Sequence, residues 1–338
     1  MNNKLKKWQI AFLVLLIVGA FLIIRQQNVT PYRSNKGFIF GTVYNITYQH
    51  SSDLHALIIE ELQKVDGSLS PFNKKSVISA VNSNEAVVVD DMFTEVFTKA
   101  MTISRETDGA FDITVAPLVN LWGFGFRNGE LPTDRAVDSL RQLTGFGKVS
   151  LTAGRVVKDD PRVMLDCSAI AKGYGCDAVA RLLRRHGVEN FMVEIGGEVV
   201  VSGVSGRRVP WKIGVSKPVE DSLNTAGEFQ TALSITNLAM ATSGNYRNFY
   251  YKDGRRYAHT IDPRTGRPVQ HSLLSATVLA ADCATADAYA TAFMVMGIEQ
   301  ARRILERHRE LMAYFIYSDD NGDFAVWHSP ALGQYINR

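Results

Sequence analysis

The hydrophobic pattern divides the chain into an apolar N-terminal run, Trp8–Ile24, and a longer region of alternating apolar and polar residues. In that region, period-two alternation predicts a strand over Gly37–Tyr48, and helical periodicity predicts helices over Leu54–Val65 and Met92–Thr107. Further predicted elements are helices over 168–186, 285–296 and 301–308, a hairpin over 149–165, and strands over 191–202, 211–216, 231–241 and 274–280. Strands and helices interleave without regular alternation, which predicts an α+β fold.

The apolar run spans about 17 residues, the low end for a membrane-spanning helix. Three lysines precede it and one arginine follows it closely, so the positive-inside rule places the N-terminus in the cytoplasm. The run ends without a small-residue cleavage site, which favours an uncleaved anchor over a cleaved signal peptide or a buried globular helix. We expect a single transmembrane anchor over residues 1–25, a polar tether over 26–36 and a globular domain over 37–338.

Composition narrows the possible classes. The 338 residues are 46% hydrophobic and 21% charged, which excludes a disordered, collagen-like or coiled-coil chain. A formal net charge of +3 argues against a dedicated nucleic-acid binder. The three cysteines, Cys167, Cys176 and Cys283, form no CxxC zinc pattern and cannot all pair. No Rossmann, Walker or GxSxG sequence occurs.

Candidate chemistry is most concentrated in the predicted helix over 285–296. Asp287 and Thr291 are four residues apart, so they share one helix face. A carboxylate and a hydroxyl on one face form a hard-oxygen arrangement suited to Mg²⁺. The alternative is structural, with Asp287 favoured by the helix dipole in the first turn and Thr291 simply packed.

Two further stretches have both a functional and a structural interpretation. Asp262–Gly266 predicts a rigid turn, which would fix the neighbouring His259 for proton transfer or leave it as a surface hydrogen bonder. Gly196–Gly197, inside a predicted strand, indicates either close approach of a ligand or a bulge.

The stretch Leu165–Gly173 begins a predicted helix. Asp166 or Ser168 would cap it, and its N-terminus together with Lys172 would attract an anion. These four stretches occur in one order with TDGAFDITVAPLVNLWGFG over 107–125. In that combination the chain resembles the ApbE family, the FAD:protein FMN transferases, from about residue 41 to residue 297.

The resemblance implies a two-lobed α+β domain with a tunnelling-fold-like core. It also implies a reaction in which FMN moves from FAD to a threonine hydroxyl of a partner protein, with Mg²⁺ bound and AMP released. In this sequence the implied metal ligands are Asp287, Thr291 and the Ala169 carbonyl, and the implied catalytic residues are Asp287 and His259, the base. The implied FAD contacts are Phe40, Phe72, Ala110, Phe111, Asp112, Asp166, Lys172 and Thr260.

The resemblance further implies where the protein works. Its acceptors would be extracytoplasmic domains of membrane redox complexes, with subunits like those of sodium-pumping NADH:quinone oxidoreductase or Rnf-type complexes. The enzyme would sit on the bacterial inner membrane with its catalytic domain on the periplasmic side. The lipoprotein cysteine common in the family is absent, so the anchor would be the helix itself. Two alternatives stay open, namely an FAD pyrophosphatase giving FMN and AMP, and a flavin-binding protein without turnover.

Overall fold

The structure is a computed structural model that describes residues 7–27, 30–123, 132–218, 229–245, 249–252, 255–258 and 260–336. Its α-helices are α1 (Lys7–Gln27), α2 (His55–Leu69), α3 (Val77–Asn82), α4 (Asp91–Glu106), α5 (Ala116–Leu121), α6 (Asp134–Arg141), α7 (Ser168–Arg185), α8 (Cys283–Met296) and α9 (Ile298–Arg307). Its strands are β1 (Tyr32–Ile39), β2 (Thr42–Gln49), β3 (Val149–Thr152), β4 (Arg155–Lys158), β5 (Phe191–Ile195), β6 (Glu198–Ser202), β7 (Trp211–Ser216), β8 (Phe229–Ile235), β9 (Leu238–Gly244), β10 (Phe249–Lys252), β11 (Arg255–Ala258), β12 (Ile261–Asp262), β13 (Arg267–Pro268), β14 (Leu273–Ala280), β15 (Met312–Ser318) and β16 (Phe324–His328).

The centre of the fold is an antiparallel sheet in which eight of the described strands pair in the order β1-β2-β5-β6-β9-β14-β15-β16. Both faces of its middle strands are buried. In β6, Val200 packs on the side of α7, whereas Val199 and Val201 pack on the opposite side with the β7–β8 hairpin. This alternation follows from the two-residue period of a strand. The predicted α+β fold is confirmed, and its division into two lobes stays a prediction.

Helices α7 and α8 lie side by side on one face of the sheet and cross at Gly173. A Cβ at Gly173 would lie 2.4 Å from the carbonyl oxygen of Cys283, so only glycine permits this approach. Four residues further along α7, the carboxylate of Asp177 accepts the N–H groups of Cys283 at 2.8 Å and Ala284 at 2.9 Å. These N–H groups begin α8 and have no partner inside the helix, so Asp177 both caps α8 and aligns it with α7.

Three predicted strands contain tight turns that the sequence pattern did not reveal. The strand predicted over 37–48 is the β1–β2 hairpin, joined by Phe40 (φ 51°) and Gly41 (φ 74°). The strand predicted over 231–241 is divided into β8 and β9, with Asn237 at φ 52° between them. Gly196–Gly197 joins β5 to β6 as a two-residue turn, because Ile195 and Glu198 pair on either side of it, so the bulge interpretation is wrong.

The N-terminal run forms the predicted helix, α1, over Lys7–Gln27. The large apolar side chains that the structure describes between Trp8 and Val18 are exposed, and those of Trp8 and Leu15 are each about two-thirds exposed. Across the part of the chain that the structure describes, no helix combines the length and the apolar character needed to cross a membrane. Strand β1 begins at Tyr32, inside the stretch expected to be a tether. The transmembrane anchor over residues 1–25 stays a prediction.

The three cysteines are all free and buried, so they are core residues. The thiol of Cys176 donates to the carbonyl of Glu198 at 3.2 Å, and that of Cys283 lies 3.6 Å from the carbonyl of Met240. Burial raises the pKa of all three thiols, which keeps them protonated.

Candidate active site

The predicted pair on α8 lies where α7 crosses it. Asp287 is 2% exposed, and its carboxylate accepts the N–H of Gly173 at 3.0 Å. One turn along α8, the hydroxyl of Thr291 lies 3.2 Å from the hydroxyl of Ser243 on β9. Burial raises the pKa of Asp287, while the Lys172 ammonium and the Gly173 N–H oppose that rise.

The geometry of α7 places the backbone carbonyl of Ala169 near the Asp287 carboxylate. In a regular α-helix the N–H of Gly173 is the one directed at the carbonyl of Ala169, four residues earlier. This N–H donates to Asp287, so the Ala169 carbonyl and the Asp287 carboxylate lie beside one donor. Asp287 therefore contacts the first turns of α7, to which Ala169 belongs, and Thr291 lies one turn further along α8, beside β9.

Lys172 connects Asp287 to a second buried carboxylate, that of Glu198. The ammonium of Lys172 lies 2.5 Å from Oε1 of Glu198 and 4.0 Å from Oδ1 of Asp287. Burial raises the pKa of Glu198 to about 7, against the opposing effect of Lys172. Burial lowers the pKa of Lys172, but Asp287 and Glu198 outweigh it, so the lysine is a cation at neutral pH. Two carboxyl groups and one ammonium thus form a mixed charge cluster.

Asp166 connects the beginning of α7 to Gly109–Asp112, the GAFD stretch. Its carboxylate accepts the N–H of Ser168, the first residue of α7, at 2.7 Å, whereas the N-cap position itself is Cys167, so neither Asp166 nor Ser168 is the N-cap residue. The N–H of Asp166 donates to the carbonyl of Ile113 at 2.7 Å. The segment Ala110–Asp112 is therefore held next to the N-terminus of α7, although more than fifty residues of sequence separate them.

Within the GAFD stretch, the side chains are buried in protein. Ala110 and Phe111 are almost fully buried, and the ring of Phe111 lies in the main apolar core, so a ligand would meet their backbone. The carboxylate of Asp112 accepts the N–H of Thr114 at 2.8 Å and its hydroxyl at 2.7 Å. Burial raises the pKa of Asp112, and the hydrogen bonds from Thr114 and from the backbone of Phe146 counteract part of that rise.

The predicted turn after His259 is present and braced. The carboxylate of Asp262 accepts the backbone N–H and the guanidinium of Arg264, both at 2.9 Å. The indole of Trp122 donates to the carbonyl of Gly266 at 2.8 Å, which makes Trp122 a buried support of this turn. Thr260 is buried and donates to Asn245 at 2.6 Å. His259 itself lies outside the described residues.

Of the three phenylalanines expected at the flavin, Phe111 lies in the main apolar core, and Phe40 has a placement that links it to the cluster of Lys172, Asp287 and Glu198. The ring of Phe40 lies 2.7 Å from where a Cβ of Gly175 would be, so the β1–β2 turn packs directly on α7. The ring of Phe72 is 67% exposed and lies in the turn before α3. That segment is tied to the start of α7 because Asn82 exchanges two hydrogen bonds of 2.8 Å with the backbone of Leu165.

A cavity of about 420 Å³ lies between the GAFD stretch and the Asp262–Gly266 turn. Its lining includes two carboxylates, Asp108 and Asp112, and three cationic side chains, those of Arg141, Lys148 and Arg264. This small excess of positive charge favours an anionic ligand. Another cavity, of about 570 Å³, lies between α4, α8 and α9 and contains none of the predicted site residues. Among the described residues, no three acidic, histidine or cysteine side chains are grouped as a metal site.

Three residues of this region were not predicted as part of a site. Glu198 follows the Gly196–Gly197 turn, and the glycine pair was the available indication of a functional position there. Asp177 and Ser243 reach α8 from α7 and β9, and no spacing in the sequence connects them to it. Tertiary packing alone brings these residues together.

Comparisons with known proteins identify the family of the chain. The model of the ApbE family matches residues 40–315. The FAD:protein FMN transferase of Vibrio cholerae is 37% identical to the chain, with 99% of this chain and 100% of that protein covered. The FAD:protein FMN transferase of Escherichia coli K12 is 32% identical, with 88% of this chain and 85% of that protein covered.

Solved structures give the same result. The flavin transferase ApbE from Vibrio cholerae superposes with a TM-score of 0.81 at 36% identity, covering 90% of this chain and 99% of that one. The apo form of the Pseudomonas stutzeri flavinyl transferase ApbE also has a TM-score of 0.81, at 32% identity, covering 90% of this chain and 96% of that one. The mixed α/β architecture is thus shared over most of both chains, and the chain belongs to the ApbE family.

Proposed function

We propose that this chain is a Mg²⁺-dependent FAD:protein FMN transferase. It moves FMN from FAD to a threonine hydroxyl of a partner protein and releases AMP. The observation that carries the proposal is the buried carboxylate of Asp287, one helical turn from the hydroxyl of Thr291 and beside the same N–H as the Ala169 carbonyl. The names of the relatives support the flavin substrate and the protein acceptor.

The residues present fit a magnesium ion. Mg²⁺ prefers oxygen ligands and is usually held by one or two carboxylates, with waters and substrate phosphates completing its shell. Asp287 supplies the carboxylate, Thr291 a hydroxyl and Ala169 a carbonyl. When bound, the ion would neutralise charge on the diphosphate of FAD.

The chain's own residues supply the remaining functions. The ammonium of Lys172 and the N-terminus of α7 attract the phosphate oxygens and offset their negative charge. His259 is the proposed base that removes the proton of the acceptor hydroxyl, a contribution worth ~10²–10⁴-fold in rate. Phe40 and the backbone of Ala110–Asp112 are proposed to contact the flavin nucleotide, together with Phe72, Asp166 and Thr260.

The location of the reaction is also a proposal. The apolar and exposed side chains of α1 suit a helix surrounded by lipid, and the lysines before it favour a cytoplasmic N-terminus. The catalytic domain would then face the periplasm. Its acceptors would be extracytoplasmic domains of membrane redox complexes of the sodium-pumping NADH:quinone oxidoreductase or Rnf type.

One incubation separates the candidate functions. The full-length chain is mixed with FAD, Mg²⁺ and a candidate acceptor domain, and the acceptor is analysed by in-gel flavin fluorescence and mass spectrometry. Transfer predicts an FMN adduct on a threonine with AMP formed in equal amount. Free FMN and AMP without an adduct would instead indicate a pyrophosphatase. FAD binding without AMP would indicate a flavin-binding protein.

Two variants test the assigned roles. Asp287→Ala should abolish transfer, whereas Asp138→Ala, at an exposed carboxylate on α6, should not change it. His259→Ala should retain FAD binding and slow the transfer step. Full activity of the Asp287 variant, or activity of the wild type in EDTA, would contradict the metal role.

A further inference from the structure

The glutamate at the start of β6 has an arrangement that its structural surroundings do not explain. The side chain of Glu198 is 4% exposed, and only Oε1 is bonded, to Lys172. The other oxygen, Oε2, has no hydrogen-bond partner among the described residues. A buried carboxylate oxygen without a partner is costly, so a residue kept in this state usually serves a purpose beyond packing.

The ammonium of Lys172 lies at unequal distances from its two carboxylate partners. It lies 2.5 Å from Glu198 and 4.0 Å from Asp287, so it pairs tightly with Glu198 and only loosely with Asp287. Glu198 and Asp287 are the two carboxylates that the described residues place against this ammonium, so loss of Glu198 would leave Asp287 as its remaining partner.

The backbone around Glu198 keeps this arrangement in place. Glu198 directly follows the Gly196–Gly197 turn, and a Cβ at Gly196 would lie 2.8 Å from the methyl group of Thr42. The turn thus fits closely against the end of the β1–β2 hairpin, which itself packs on α7 through Phe40. The carboxylate of Glu198 therefore comes from a rigid two-residue turn and reaches Lys172 from the side of the sheet.

We propose that Glu198 is a positioning residue, which holds the ammonium of Lys172 away from Asp287 and so keeps the Asp287 carboxylate available to a divalent cation. This inference rests on the proposed function, because it assumes that Asp287 binds the cation.

The test measures cation binding directly. The full-length chain is titrated with Mn²⁺, a paramagnetic substitute for Mg²⁺, and free Mn²⁺ is followed by electron paramagnetic resonance without FAD or acceptor. Glu198→Ala should weaken Mn²⁺ binding by about 10–100-fold, the range for residues that orient a metal ligand. Glu194→Ala, a half-buried carboxylate on the adjacent strand β5, is the matched control and should bind Mn²⁺ as the wild type does.

Two more variants separate positioning from charge and from misfolding. Glu198→Gln still accepts a hydrogen bond from Lys172, so its affinity should lie clearly above that of Glu198→Ala. The double variant Glu198→Ala, Lys172→Met removes the competing ammonium and should regain Mn²⁺ affinity to within about threefold of wild type. A misfolded site would not recover when a second residue is removed.

Three results would overturn the inference. They are unchanged affinity in Glu198→Ala, equal loss in Glu198→Gln and Glu198→Ala, and no recovery in the double variant. If the wild type itself bound no Mn²⁺, the proposed metal site would fail, and the role assigned to Glu198 would fail with it. The titration of the wild type therefore distinguishes failure of the proposed function from failure of this inference alone.

Discussion

The backbone N–H of Gly173 on α7 donates to the carboxylate of Asp287 on α8 at 3.0 Å, so a main-chain group of one helix orients the acidic side chain of the other. This bond requires the two helices to touch. It is possible because Gly173 has no side chain at the point where the carbonyl of Cys283 approaches.

Gly173→Ala should therefore separate the helices. The new Cβ would lie 2.4 Å from a backbone oxygen, and a contact of this kind in a packed core costs about 1–3 kcal/mol. Thermal unfolding should show a lower midpoint, and transfer activity should fall because Asp287 loses its donor. Gly67→Ala in α2, where nothing lies within 4 Å, is the control and should raise stability by about 0.5–1 kcal/mol. An unchanged Gly173 variant would show that the crossing can relax.

Asp177→Asn should change how stability depends on pH. Burial raises the pKa of Asp177 to about 7, whereas an unfolded aspartate ionises near ~4. Between these two pH values the folded chain keeps a proton on Asp177 that the unfolded chain has lost. The free energy of unfolding of the wild type therefore falls as pH rises from 4 to 7, by at most about 1.4 kcal/mol per pH unit from this group.

Asparagine does not titrate in this range, so the stability of the variant lacks this pH dependence. Its loss of stability relative to wild type should therefore be larger at pH 5 than at pH 8. Urea unfolding of both proteins at the two pH values measures the difference. A larger loss at pH 8 than at pH 5 would contradict the raised pKa of Asp177.

Trp122→Phe should loosen the turn that follows His259. The substitution leaves the carbonyl of Gly266 without the indole N–H, at a cost of about 1–3 kcal/mol. Trp211→Phe removes a similar bond, 3.0 Å long, to the carbonyl of Ser202 on the far side of the sheet. Both variants should lose stability in urea unfolding, but only the Trp122 variant should lose transfer activity. Equal transfer activities in the two variants would show that this turn does not contribute to catalysis.

Removing residues 1–29 should release the protein from membranes. The cut precedes Thr30, whose carbonyl accepts the side-chain amide of Gln49, and it leaves β1 complete. In cell fractionation the full-length chain should sediment with membranes, and the shortened chain should remain in the supernatant with its transfer activity. Sedimentation of the shortened chain would mean that another part of the protein binds the membrane.

Local spacing was sufficient to predict the parts of the site that lie within one element. Asp287 and Thr291 share a face because a helix repeats every 3.6 residues, and a helix does begin at Ser168, within the stretch from which its start was predicted. The bond between Glu198 and Lys172 was beyond such reasoning, because it joins a turn to a helix through the packing of β6 on α7.

The turns show a similar limit. Phe40 adopts a left-handed conformation that phenylalanine rarely adopts, so its alternating apolar neighbours predicted an uninterrupted strand. The Gly196–Gly197 pair is visible in the sequence, but only the pairing of Ile195 with Glu198 identifies it as a two-residue turn. The ApbE resemblance added what spacing could not, namely an expected role for each of these residues.

The burial of Cys176 on α7 and Cys283 on α8 gives a way to observe this pair of helices directly. A thiol-alkylating reagent can reach either sulfur only when the packing around α7 and α8 opens. The rate of alkylation therefore reports how often that opening occurs. Ligands that hold the two helices together should slow the modification, and a mass spectrum would then record occupancy of the site without any turnover.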